Sequence, residues 1–340
     1  MAHRAEIDLV LICNQKGRTR EPGHGGGEIS SEFLSAAEMS EVLGCLRESR
    51  FAVTAVVDED EFMREHARLT RGRGERLPLV MNFASARLGP WGKTVVPALA
   101  DAAGCKTTNS DAYAMALVRH KFHLSAVVER LGVQVPACWC FDSGNGWLGS
   151  GAPPDGIEVL IQPAFESASI GLDAHSLVRA GPDLSKTVSE VARRYQQAVV
   201  VREFVAGAEV EVPVITEGAA LPMSPVGISV DGAMSLGKRY LTYAEVYGDD
   251  YSFFAYDDWA GEGAATELRE LAHRVSRGML MRGFSRVDFR VTECGRPFVI
   301  DLSATPHFVH HSSFAYAAEL AGMDSRQLPL ALVGLALAEP

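Results

Sequence analysis

The chain has 340 residues, 47% of them hydrophobic and 22% charged, with a formal net charge of −11. That length suits two or three compact domains with a substantial buried core, and the composition is that of an ordinary globular enzyme. An acidic balance without a Lys/Arg stripe argues against nucleic acid as a partner, and no apolar run reaches the roughly 18 residues that a membrane span needs.

From Ile7 to about Cys105 strand and helix patterns alternate. Strands are expected at Ile7–Ile12, Ala52–Val57 and Leu77–Phe83, and helices at Phe33–Glu48 and Val95–Ala103. This alternation predicts a small parallel α/β domain. The start of the chain carries Glu6 and Asp8 and only a short apolar run, which reads as a strand and not as a signal peptide. Six scattered cysteines without C-x-x-C spacing read as reduced thiols, and a cytoplasmic protein is expected. The glycine-rich segment Gly23–Gly27 before Glu28 lacks the G-x-G-x-x-G spacing of a dinucleotide site.

The next part runs from about Lys106 to Arg202. Asn109 or Ser110 is expected to cap one long helix, Asp111–Leu131, that buries Ala116, Leu117, Phe122, Leu124, Val127 and Val128. Lys121 within it reads first as a solvated helix lysine. A strand at Glu158–Pro163 leads into F-E-S-A-S-I-G, where Ser167, Ala168 and Ser169 precede Gly171. Small residues ending in glycine let backbone N–H groups wrap an anion. A third part opens with the apolar run Val199–Val201, followed by Glu203, Phe204, Val205 and then Glu209. Residues 231–260 are rich in Tyr, Phe, Asp and Gly and read as a long loop serving as a lid.

The most informative stretch is R-V-D-F-R-V-T-E-C-G-R-P-F-V-I-D-L-S, residues 286–303. Two alternating apolar runs flank a short polar turn through Glu293, Cys294 and Gly295, a β-hairpin pattern. Arg286 and Asp288 share one face of the first strand, and Asp301 and Ser303 one face of the second. Pairing the strands gathers two carboxylates and a hydroxyl beside an arginine, the hard oxygen set that Mg²⁺ needs when it also carries phosphates. A solvated hairpin face with a salt bridge would give the same spacing.

The hairpin and the tail behind it resemble the C-terminal segment of the D-alanine–D-alanine ligases of the ATP-grasp superfamily. There the pattern is R-V-D-F, a turn, E-x-N-T-x-P-G and a later H-S pair. Arg286 and Asp288 match; Asp301 stands for the family Glu, Ser303 for its Asn and His307 for its Gly, and His311 and Ser312 fall on the H-S pair. The register runs on through an apolar-periodic helix ending at Gly322.

The resemblance implies an α/β fold of the ATP-grasp type: an N-terminal parallel α/β substrate domain (1–105) followed by two ATP-grasp subdomains (106–202 and 203–340) that clamp the nucleotide. It implies ATP and Mg²⁺ as cofactors, with Asp288, Asp301 and Ser303 as metal ligands. Lys121 would reach the nucleotide phosphates, and Ser167, Ala168 and Ser169 would form the phosphate lid. Glu203, Phe204 and Val205 would form the adenine hinge, and Glu209 would grip the ribose. Gln162 stands where the family has a lysine, so it keeps hydrogen-bond donors but loses a positive charge. Glu28 would orient the first amino acid, Arg286 and the His307 backbone would stabilise an oxyanion, and Ser312 would hold the second substrate. In the lid, Lys238, Arg239, Tyr240 and Tyr243 are candidates for contacting phosphate or substrate.

The expected activity is ATP-dependent joining of two amino acids through an acyl phosphate, with substrates other than D-alanine. Ala168, His307 and the missing acidic G-E-G stretch (here G-P-W-G-K, Gly89–Lys93) all depart from the family at the substrate end. Intramolecular ring closure after carboxylate activation and nucleotide binding without turnover are the alternatives. A homodimer is left open as the assembly.

Overall fold

The apolar run Ile7–Ile12 forms strand β1, the centre of a 3-stranded parallel sheet ordered β2-β1-β3 with β2 (Phe51–Val56) and β3 (Leu79–Asn82). Most of β1 and all of β3 are buried, which is why both read as continuous apolar runs and not as alternating ones. The computed structural model describes residues 7–19, 32–49, 51–72, 76–85, 90–149, 151–217 and 219–338. Helices α1 (Ala36–Arg47), α2 (Glu59–Leu69) and α3 (Val95–Ala102) belong to this part. Ser35 and Glu38 start α1 as a reciprocal capping box, a signal present in the sequence as S-A-A-E. Helix α2 has little apolar periodicity to announce it: E-D-E-F-M-R-E-H-A-R-L is mostly charged and buries only Glu59, Phe62 and Leu69.

The single helix expected over Asp111–Leu131 is two, α4 (Ala112–Arg119) and α5 (Lys121–Arg130). His120 interrupts them with extended backbone (φ −89°, ψ 99°), and the Lys121 N–H donates to the Ala164 carbonyl at 3.0 Å. The cap is Asp111, whose carboxylate accepts from Ala114 N–H, and neither Asn109 nor Ser110 caps it. Ala116 is exposed and Leu117, Phe122 and Val127 are half-buried; Ala114, Met115, Leu124 and Val128 carry the packing.

Strands β4 (Cys138–Asp142), β5 (Gly146–Trp147), β6 (Glu158–Pro163), β7 (Leu177–Arg179) and β8 (Val199–Glu203) form a 5-stranded antiparallel sheet ordered β5-β4-β8-β6-β7, against which α6 (Leu184–Tyr195) packs. A 6-stranded antiparallel sheet follows, ordered β12-β11-β9-β13-β14 with β10 on β9. Its strands are β9 (Ala208–Glu217), β10 (Ala219–Pro222), β11 (Val226–Ser229), β12 (Ser252–Ala255), β13 (Gly283–Val291) and β14 (Pro297–Ser303). Helices α7 (Tyr243–Gly248), α8 (Tyr256–Ala260) and α9 (Glu262–Gly278) complete it, α9 burying Ala265, Leu268, Ala272 and Val275 against the sheet.

Residues 231–260 are therefore not one long loop: they contain α7, β12 and α8, and β12 is an edge strand paired with β11. The last helices, α10 (Ser313–Leu320) and α11 (Leu328–Ala338), return to the start of the chain. Phe314, Leu328, Leu332 and Val333 share one core with Leu9, Leu11 and Met81. This packing fixes the segment between β14 and α10 beside the parallel sheet. The six cysteines are free thiols.

Candidate active site

A cavity of about 610 Å³ lies where α1, the 166–172 loop, the β8–β9 connection, the β13–β14 hairpin and the segment after β14 converge. The hairpin supplies its charged floor. Arg286 pairs with Ser303 and Asp288 with Asp301 across the two strands, so the four side chains meet as the alternation predicted. Asp288 is 7% exposed, which rules out a solvated hairpin face. Arg286 grips both Asp288 oxygens, at 2.7 and 2.8 Å, and reaches Glu211 on β9 at 2.9 Å. Burial, offset by Arg286 but reinforced by Glu211 and Asp301, pushes Asp288 up to about 7. Burial likewise raises Glu209 and Glu211 against the pull of Arg290 and Arg286.

Lys121 is not the solvated lysine its helix pattern allows. Its ammonium is 2.9 Å from Asp301 and largely buried. Burial would raise Asp301, but Lys121 holds it below the usual carboxylate range. Lys121 lies on the buried face of α5 with Leu124, Ser125 and Val128, and it lines the cavity.

The 166–172 loop is bound on both sides. The Ser167 hydroxyl bonds Glu32 and accepts from Arg119 at 3.2 Å, while the Ser169 hydroxyl donates to the Leu241 carbonyl at 2.8 Å. Ala168 and Ser169 have left-handed backbone, φ 49° and 56°, a conformation that costs non-glycine residues about 1 kcal/mol or more each. With the hydroxyls committed, the backbone amides of this loop are the groups left for an anion.

The hinge is equally fixed. Glu203 N–H donates to Ala137 O and Phe204 N–H to Glu158 O, at 2.8 and 2.9 Å. Arg290, 4% exposed, ties the hinge to its surroundings through Val205 O at 3.0 Å, Glu209 at 3.1 Å and Gly237 O at 2.8 Å. Its guanidinium also lies 5.3 Å from the Phe204 ring centre. The alternation of R-V-D-F-R-V puts Arg290 on the same face as Arg286 and Asp288, a signal that the sequence carries. Gln162 lines the same cavity, and its side-chain amide nitrogen is buried with no partner.

Among the lid candidates Tyr240 lines the cavity, and its hydroxyl donates to the Asp173 carbonyl. Lys238 pairs with Glu158 at 2.8 Å and Arg239 with Asp231 at 3.0 Å, both exposed, so neither cation points into the site. Tyr243 stacks on Tyr247 instead. Ser312 caps α10, accepting from Ala315 N–H at 3.1 Å, and lines the cavity with the start of that helix. His311 reaches Asp249 at 3.1 Å, and no cluster of three or more His, Cys, Asp or Glu suited to a metal ion occurs among the described residues. Glu28 lies outside the described residues.

Sequence reasoning missed a buried ionic cluster that joins the parallel α/β part to the 166–172 loop. Glu32 meets Lys93 at 2.9 Å, with Ser167 and Arg119 beside it. Burial would raise Glu32, but Lys93, Arg119 and Ser167 hold it at about 2. Lys93 is the residue that ends the altered G-P-W-G-K stretch, and no sequence signal marks its partner 61 positions away. Because the folded value lies below the ordinary 4.5, this cluster stabilises the fold above pH 4.5, and the gain is lost as pH falls toward 2. Glu32→Gln is expected to cost about 3–5 kcal/mol at neutral pH, since it leaves a buried lysine without its counter-ion. It should also flatten the acid limb of the stability curve. Thermal melts of both proteins from pH 7 to 3 check this; parallel acid limbs would refute it.

The donor set fits nucleotide and metal. Two carboxylates and a hydroxyl at the hairpin make an incomplete oxygen shell of the kind Mg²⁺ completes with phosphates. Burial is the main cause that raises Asp288, Glu209 and Glu211, and a divalent cation bound beside them would favour their charged forms. The orphaned Gln162 amide offers a hydrogen bond to an acceptor in the cavity.

Two antiparallel sheets closing on a charged cleft, behind a parallel α/β unit, define the chain as an ATP-grasp protein. Its residues 155–334 match the family model for the D-ala D-ala ligase C-terminus, and the chain belongs to that family. Over 312 residues it is 26% identical to a D-alanine–D-alanine ligase of Ectopseudomonas mendocina, covering 91% of each chain. It is also 26% identical, over 72% of its length and 70% of the relative's, to the uncharacterized protein y4sG of Sinorhizobium fredii. The fold is shared with the crystal structure of VanG D-Ala:D-Ser ligase from Enterococcus faecalis, with a TM-score of 0.68, 16% identity, and 97% and 99% of the two chains covered. It is shared equally with D-alanine–D-alanine ligase from Bacillus anthracis complexed with ATP, with a TM-score of 0.68, 13% identity and 97% of each chain covered. D-Ala ligases of this family use ATP and Mg²⁺.

Proposed function

We propose that this protein is an ATP-dependent carboxylate–amine ligase that joins two amino acids, the pair being other than D-alanine with D-alanine. The observation that carries it is the hairpin: Asp288 and Asp301 face each other across β13 and β14, paired with Arg286 and Lys121, and all four line the cavity. In this reading residues 1–105 hold substrate, and 106–202 with 203–340 hold the nucleotide. The Val205 amide and the hinge backbone meet the adenine, Glu209 the ribose, and Lys121, Gln162 and the 167–169 amides the phosphates. Asp288, Asp301 and Ser303 would hold Mg²⁺, which offsets charge on the transferring phosphoryl group when bound.

A carboxylate is a poor electrophile, so an amine gains a usable target only after the carboxylate has taken the γ-phosphoryl group as an acyl phosphate. Arg286 and the His307 N–H then face the oxyanion that forms when the amine adds, usually the largest electrostatic contribution in acyl transfer. Glu28 is assigned to the first amino acid, and Ser312 with the start of α10 to the carboxylate of the second. Closure of the 166–172 loop against Tyr240 and Leu241 excludes water that would hydrolyse the acyl phosphate. Ala168 cannot offer the hydroxyl of a serine at that place, and a substrate group left unpaired there costs about 1–3 kcal/mol, which disfavours D-alanine as first substrate.

ADP release across all amino acids, singly and in pairs, with mass detection of products, tests the assignment. A pair that yields ADP and a condensed product supports it. ADP release from one substrate with loss of water means ring closure instead, and nucleotide binding without ADP release means a protein that does not turn over. Fastest turnover with two D-alanines would refute the assigned specificity. Gln162→Lys is expected to lower the KM for ATP with little change in kcat, the pattern of uniform binding, as steady-state kinetics will show.

A further inference from the structure

At the substrate end of the cavity His307 and Glu38 form a pair that neither the metal and phosphate groups nor the oxyanion donors use. Glu38 is fixed at both oxygens: one accepts from the Ser35 N–H at 2.7 Å, closing the capping box of α1, and the other lies 3.3 Å from His307 Nε2. The imidazole is held from its own side as well. Its neighbour Phe308 is buried, with ring centres 4.5 Å from Phe83 and 6.2 Å from Phe284. Glu38 and His307 both line the cavity with Arg286 and Ser312, and the His307 side chain is 36% exposed.

We propose that His307, oriented by Glu38, is the general base that deprotonates the incoming amine. This rests on the ligase reading above. Burial would raise the Glu38 carboxyl, but hydrogen bonds from His307 and Ser35 outweigh it and hold the group at about 2, so it is ionised. A carboxylate accepts only, so Nε2 carries the hydrogen and Nδ1 keeps its lone pair. Base, orienting carboxylate and a substrate site beside them reproduce the arrangement that activates nucleophiles in general.

The reaction requires such a group. An amino acid reaches the enzyme at neutral pH as an ammonium, which has no lone pair. His307 Nδ1 takes one proton, and the freed nitrogen pair forms the C–N bond at the acyl carbon. The C–O bond to phosphate then breaks, phosphate leaves with that electron pair, and the second N–H proton goes to a phosphate oxygen. His307 returns its proton to water, so atoms and charges balance. The His307 side chain lines the same cavity as Arg286 and Ser312, so an amine bound there would lie within its reach.

Hydroxylamine separates this role from a structural one, because it is largely unprotonated at neutral pH and needs no base. Native full-length protein is first given ATP, Mg²⁺ and each amino acid, L and D, as carboxyl donor with hydroxylamine as acceptor. Failure to form any hydroxamate would overturn the ligase reading itself. With the best donor, His307→Ala is expected to slow transfer to an amino-acid acceptor about 10²–10⁴-fold, the usual worth of a general base, and transfer to hydroxylamine at least tenfold less. Added imidazole should restore part of the amino-acid rate. Glu38→Gln should slow the same step, and the double variant should be no slower than His307→Ala, since Glu38 acts through the histidine. His307→Gln, closer in size, repeats the comparison if the alanine variant does not fold. Equal losses for both acceptors, additive losses in the double variant, or an amino-acid rate unchanged by His307→Ala would each overturn the proposal.

Discussion

Asp288→Asn is expected to reduce ADP formation about a thousandfold or more, and Asp301→Asn to do the same, while both proteins stay folded. Each substitution removes one of the two hairpin carboxylates assigned to Mg²⁺, and the loss corresponds to several kcal/mol of transition-state charge stabilisation. The two variants should differ in stability. Asp288 is pushed up to about 7 by burial, so its charged form is disfavoured in the folded state. Its folded value lies above the ordinary 3.8, so the metal-free protein loses stability as pH rises from 3.8 to 7. A neutral amide at this position carries no such cost, and Asp288→Asn should melt no lower than the native protein at pH 8. Asp301 is held below its ordinary value by Lys121, so Asp301→Asn should melt lower and leave the buried lysine uncompensated. ADP assays and melts of the two variants side by side check both halves. Undiminished turnover by either variant would remove the metal assignment.

This contrast depends on partners that strand alternation does show and on partners that it does not. The period of two placed Arg286, Asp288, Asp301 and Ser303 together, because a hairpin joined by a short turn leaves little freedom of register. β1 and β6 were legible for a related reason: each is a bounded apolar run. The break at His120 was not legible, since A-M-A-L-V-R-H-K-F-H-L holds no glycine or proline. It is imposed by tertiary packing, with the His120 ring edge-on to Phe165 at 4.7 Å and the Lys121 amide bound to Ala164. Lys121 reads as solvated from its residue type alone, yet it shares the buried face of α5 with Leu124, Ser125 and Val128.

The Glu32–Lys93 and Glu38–His307 pairs were hidden because each spans long stretches of chain and uses residue types that are common on surfaces. Resemblance could not supply them either. Lys93 and His307 stand at positions where this chain departs from its family, and a departure names what is missing, not what replaces it. In both cases the partner is a carboxylate in or near α1, at the substrate end of the cavity.

Arg286→Met is expected to destabilise the fold strongly. Asp288 and Glu211 are direct partners across β13 and β9, and the guanidinium bonds both at 2.7–2.9 Å. Without it two like charges face each other inside the protein, and the cost should be about 3–5 kcal/mol at pH 8. The penalty should shrink at pH 6, because both carboxyls are already raised by burial and can escape repulsion by binding a proton. Arg286→Lys separates stability from catalysis. An ammonium restores one positive charge but cannot bond both Asp288 oxygens and Glu211 in one plane. This variant should recover most of the lost stability yet remain about 10²–10³-fold slower in product formation, the usual loss when one oxyanion donor is removed. Urea unfolding at pH 6 and 8, with product assays on the lysine variant, measures the two effects separately. A destabilisation in Arg286→Met that does not change with pH would mean that the pair it screens stays neutral throughout. Native rates in Arg286→Lys would mean that the guanidinium serves the fold alone and that the oxyanion is held by other donors.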